Sequence, residues 1–71
     1  MVDVDLIEVG EGGIRLGQLL KLAGAVDSGG EVKQLLAEGK VTVNGAVETR
    51  RGAQLHPGDV VHLPGVTVQL T

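Results

Sequence analysis

The chain contains no cysteine and no phenylalanine, tyrosine or tryptophan. Without cysteine, neither a disulfide framework nor a thiolate-held metal can brace the fold, which suits a reducing compartment rather than a small secreted scaffold. Without aromatic rings the core must be assembled from Val, Leu, Ile and Ala. The same lack excludes base stacking on aromatic platforms, the common way of holding single-stranded nucleic acid. No apolar run approaches the roughly 18 residues of a membrane span, and the acidic opening Met-Val-Asp-Val-Asp does not resemble a secretory signal. A cytoplasmic chain without a membrane partner is expected.

Reactive constellations are equally scarce. His56 and His62 are the only histidines, and Asp59 is the one carboxylate near them, a spacing that fits no zinc site. Ser28, the only serine, is accounted for as a helix cap. No glycine-rich loop is followed by the Lys-Ser/Thr of a phosphate-binding loop, and Val9-Gly10-Glu11-Gly12-Gly13 carries acids that would repel phosphate. The sequence therefore predicts neither an enzyme nor a cofactor.

What the chain does have is an uneven charge. Its net charge is −3, yet all six basic residues lie between Arg15 and Arg51, a segment with only four acids. The remaining acids, Asp3, Asp5, Glu8, Glu11 and Asp59, flank that segment with no base among them. Seventy-one residues suffice for one small domain, residues 1–71, hiding about 60 % of the surface of the unfolded chain.

Along the chain, Val2, Val4 and Leu6 alternate with Asp3 and Asp5, predicting an edge strand with its acids toward water and a bulge near Leu6-Ile7. From Ile14 the period becomes helical, with Leu16, Leu19, Leu20 and Ala23 on one stripe and Gly24 as the stop. Gly17 is anomalous there, since glycine costs about 1 kcal/mol in a helix relative to alanine. Ser28-Gly29-Gly30-Glu31 matches a capping box that opens a second helix with the stripe Val32, Leu35, Leu36.

Gly39-Lys40-Val41-Thr42-Val43-Asn44-Gly45 then combines a helix stop, an alternating strand and a hairpin turn. Gly39 suits the left-handed position after a helix, and Asn44-Gly45 supplies the two positive φ values of a type I′ turn. Ala46 to Thr49 returns, Arg50-Arg51-Gly52 loops, and Pro57-Gly58 and Pro64-Gly65 turn between the last strands. The expected class is α+β, two short packed helices followed by a small curved sheet, antiparallel or mixed.

The motifs resemble those of the S-four domain, the alpha-L RNA-binding motif, in its short free-standing bacterial form. The resemblance spans Ile14 to Leu63. It rests on Ile14-Arg15-Leu16, Leu19 to Gly24, Val32 to Leu36, Gly39 to Gly45, and Pro57 to Val61. It implies recognition of structured RNA, ribosomal or transfer RNA among the candidates, through shape and phosphates, by a chain expected to be a monomer. Carried over by position, the RNA face would include Arg15, Gly29, Gly30 and Lys33 on the helices, Lys40 and Thr42 on the strand, and Arg50 and Arg51 on the loop. Gly17 stands where the family commonly has Asp, and Gly29-Gly30 where many members have Ser-Arg. The residues themselves agree on mode, because glycines leave a helix N-terminus open to phosphate. The rival reading is a protein-interaction module, with its acidic ends and aliphatic edge docking to a larger partner.

Overall fold

The computed structural model describes residues 4–24 and 29–71. Strands β1 (Val4–Ile7) and β2 (Ile14–Arg15) precede helices α1 (Leu16–Leu22) and α2 (Gly29–Ala37). Strands β3 (Thr42–Val43), β4 (Ala46–Val47), β5 (Gln54–Leu55), β6 (Val60–Leu63) and β7 (Val66–Leu70) follow. Five of them form one sheet in the order β1-β7-β6-β3-β4, while β2 and β5 pair separately. β1 runs parallel to β7 and the other pairings are antiparallel, so the sheet is mixed.

The core is wholly aliphatic. Leu16, Leu19 and Leu20 of α1 and Val32 and Leu36 of α2 meet Val41, Leu55, Val61, Leu63, Val68 and Leu70 from the strands and the segments between them. Leu35, expected on the same stripe, is only half-buried, so α2 rests on Val32 and Leu36. The helix predicted from Ile14 starts at Leu16, because Ile14 and Arg15 are taken up by pairing with Leu55 and Gln54. The capping box expected at Ser28 lies outside the described residues.

The joint after α2 forms as the sequence predicts. Gly39 has φ 69°, its N–H donates to the Leu36 carbonyl at 3.1 Å, and the Lys40 N–H donates to that of Leu35 at 3.4 Å. This pair of bonds is a Schellman motif, which closes orphan carbonyls of the helix end. Thr42 then pairs with Val47 and Val43 with Ala46, leaving Asn44 (φ 53°) and Gly45 (φ 88°) as the two-residue turn. Val41 goes inward and Lys40 outward, in keeping with strand alternation.

The edge strand is the main correction. β1 is indeed at an edge, but its ladder runs unbroken from Val4–Thr67 to Ile7–Leu70, with no bulge. That register puts Asp5 and Ile7 on the face of Val68 and Leu70. Ile7 and Val9 accordingly pack at the rim of the core. Val4 and Leu6 point to the opposite face and are 49 % and 68 % exposed. The aliphatics of the early alternation are thus on the solvent side, since the core is served by the later pair.

Candidate nucleic-acid interface

The loop of Arg50, Arg51 and Gly52 is docked on the start of α1 by backbone bonds. The first N–H groups of a helix lack partners within it. Here Leu16 N–H donates to the Ala53 carbonyl and Gly17 N–H to that of Arg51, both at 2.9 Å. The Arg15 guanidinium donates to the Gly52 carbonyl at 2.8 Å, and the Gln18 side chain accepts the Arg15 N–H at 3.4 Å. Gly17 is what lets the two segments meet. A Cβ at this position would lie 2.6 Å from the Arg51 Cγ, far inside contact distance. The residue that looked like a helix defect is a docking surface for the loop.

Docked there, Arg51 stands between two concavities. One is lined by Arg15, Gly17, Gln18, Lys21, Arg51 and Gly52. The other is lined by Lys33, Leu36, Ala37, Thr49 and Arg51. Among the described residues neither has an acid in its wall, and Arg51 belongs to both. Of the residues singled out from the sequence, Arg15, Lys33 and Arg51 are therefore gathered around these two concavities. Lys21 joins them without having been singled out, although its i+4 spacing from Gly17 places both on one helix face. Gly30 is exposed in the first turn of α2, which Gly29 opens.

Lys40, Thr42 and Arg50 line neither concavity. The Lys40 ammonium is 2.9 Å from the Glu38 carboxylate. Arg50 grips Glu48 with two nitrogens, Nη2 to Oε1 at 3.1 Å and Nε to Oε2 at 3.3 Å. The bond from Arg50 holds the Glu48 carboxyl below its ordinary range, and the bond from Lys40 does the same for Glu38. Glu48 in turn raises the Arg50 guanidinium. Both cations are thus locally neutralised, whereas Lys21, Lys33 and Arg51 face no carboxylate among the described residues. Thr42 sits across from His62 on the outer sheet face, since strand pairing fixes its side.

The two sequence blocks that most define the resemblance meet elsewhere. Asn44 Nδ2 donates to Asp59 Oδ1 at 3.0 Å, and Asn44 Oδ1 accepts the Val60 N–H at 2.9 Å. The other Asp59 oxygen accepts the His56 N–H at 2.8 Å. The hairpin tip and the Pro57-Gly58 turn are therefore locked together. Bonds from Asn44 first, and from the His56 backbone next, hold the Asp59 carboxyl below its usual value. Asn44 and Asp59 are structural here.

Comparison with known proteins agrees with this architecture. The sequence profile of the S4 domain matches residues 7–71. The solution structure of YbcJ from E. coli, described as revealing an αL motif involved in RNA binding, superposes with a TM-score of 0.74. That alignment covers 100 % of this chain and 91 % of the other at 38 % identity. Over a local 57-residue stretch, YbcJ of Escherichia coli (strain K12) is 44 % identical, spanning 80 % of this chain and 81 % of its own. The "Probable ribosome maturation protein RlbA" of Bacillus subtilis (strain 168) is 50 % identical over 52 residues, 73 % of each chain. The two helices on a mixed sheet are the αL arrangement, and the chain belongs to the S4 domain family.

Proposed function

We propose that this protein binds structured RNA through the surface on either side of Arg51, with Arg15, Lys21 and Lys33 as its companions. The observation that carries the reading is the pair of concavities that share Arg51 and whose described walls hold cations and no acid. Cations without carboxylate partners are free to neutralise phosphates, and phosphate contacts supply most of the affinity of sequence-tolerant nucleic-acid binding. A chain without aromatic residues recognises folded or double-helical RNA by shape, because it has no platform for unstacked bases. Gly30, exposed in the first turn of α2, and Gly29, which opens that helix, are in keeping with a phosphate seat. Lys40, Thr42 and Arg50 act at the margin, the two cations only after exchanging Glu38 and Glu48 for phosphate.

The relatives support this reading, one being described with RNA binding and another named for ribosome maturation. Ribosomal RNA is accordingly the preferred target, met in the cytoplasm by a monomer acting as a binder and not as an enzyme. The test is a titration of ribosomal RNA fragments and plain duplex RNA with Lys33→Glu/Arg51→Glu. Both side chains are exposed, so the variant should keep its circular dichroism and melting. It should lose at least about tenfold in affinity through lost counterion release. Binding within twofold of wild type at matched salt would place the interface elsewhere.

A further inference from the structure

We propose that the open edge of β1 is a docking strand that receives an extended, basic segment of a protein partner as a sixth strand of the sheet. β1 is the end of the sheet order, with β7 its only neighbour among the described residues. The Thr71 N–H donates to the Ile7 carbonyl at 2.9 Å and the Val9 N–H to the Thr71 carbonyl at 3.0 Å. Ile7 and Val9 therefore direct their backbone groups to β7, and by alternation Val4, Leu6 and Glu8 direct theirs outward. Such a row of donors and acceptors, unpaired among the described residues, is a template for another strand.

The side chains along this edge narrow the occupant. Val4 and Leu6, 49 % and 68 % exposed, form an aliphatic pair on the outer face. Asp5 and Glu8 are exposed too, and neither has a basic partner among the described residues. A second copy is disfavoured, because antiparallel self-pairing would bring Asp5 and Glu8 of both copies along one seam with no base to offset them. Nucleic acid is repelled by the same carboxylates. A strand with aliphatic residues for Val4 and Leu6, a lysine or arginine on the opposite face for Asp5 and a second beyond the apolar pair for Glu8 satisfies the backbone, the apolar pair and the charge together. The inference does not rest on the RNA reading, since β1 contributes no residue to either concavity beside Arg51.

The experiment titrates the full chain, labelled with nitrogen-15, with the peptide acetyl-Lys-Lys-Val-Val-Lys-Val-Lys-amide at low salt. The expected result is saturable shifts and slowed hydrogen exchange at the amides of Val4, Leu6 and Glu8. Asp5→Lys/Glu8→Lys, at exposed positions without side-chain partners among the described residues, should melt like wild type and bind RNA no more weakly. It should bind the peptide at least about tenfold more weakly, like charges now facing each other. Three results would overturn the proposal. One is the absence of shifts at β1, another is equal binding by a peptide with alternate backbone amides methylated, and the third is sedimentation of the free protein as a β1-mediated dimer.

Discussion

Among single residues, Gly17 has the largest consequence for its size. Its missing Cβ admits Arg51, and its N–H holds the Arg51 carbonyl. Gly17→Ala should raise intrinsic helix propensity yet destabilise the protein, because relief of the clash requires the loop to shift; overpacking of this kind costs about 1–3 kcal/mol. The same change should weaken RNA binding even though no charge is altered. Paired with Arg51→Ala, it should have little further effect on affinity, since the side chain it displaces is gone. Thermal melts and RNA titrations of the two single variants and the double check this; a stabilised Gly17→Ala with unchanged affinity refutes it. From sequence, Gly17 was legible only as an anomaly. Its partner lies far along the chain, and propensity carries no information about a loop that folds back. Lys21 was missed for the same reason, its neighbours Arg15 and Arg51 being assembled by tertiary contacts.

At the level of elements, the Asn44–Asp59 clamp joins the hairpin of β3 and β4 to the turn before β6. Hydrogen bonds to a charged group contribute about 1.5–3 kcal/mol, so Asp59→Asn should lower stability at neutral pH by an amount of that order. The carboxyl is held below its ordinary value in the folded state. Its contribution is therefore present above the unfolded carboxyl value, about 4, and is lost as the pH falls through the lower folded value. Denaturant unfolding at pH 7 and near pH 2 should show the wild type and Asp59→Asn well separated at the first pH and converging at the second. A gap that stays constant across that range rules the clamp out as the source. Glu38 and Glu48, also held low, affect both proteins alike and drop out of the difference. Local turn chemistry was easy to read, because Asn44-Gly45 and Pro57-Gly58 each specify a turn through φ alone. The bond between the turns was not, since it depends on how β3 lies against β6. The phase of β1 was misread similarly. Alternation identifies two faces, but the register with β7 decides which one meets the core.

For the molecule as a whole, the question is how a chain of net charge −3 binds a polyanion. The structure segregates its charge: Arg15, Lys21, Lys33 and Arg51 share one surface, Asp5 and Glu8 belong to the β1 edge, and Lys40 and Arg50 are offset by neighbouring acids. If those four cations each neutralise one phosphate, the logarithm of the affinity for duplex RNA should fall with that of salt at a slope of about −3.6, at roughly 0.9 per phosphate. Affinity measured across a salt series gives the slope directly, and one steeper than about −5 would enlist Lys40 and Arg50 as well. The class of fold and the basic middle of the chain were visible in composition and periodicity; the sorting of its cations into offset and free ones needed the folded neighbours. The parallel pairing of β1 with β7 also bears on how the chain reaches this state. The first described strand can pair with β7 only after that last strand has been made, and such distant closure is slow compared with helix or hairpin formation. On the ribosome, the helices and the β4-β3-β6 part of the sheet can therefore form early, but β1 joins only once β7 is available, so the leading strand of the nascent chain is vulnerable to proteases until β7 has emerged.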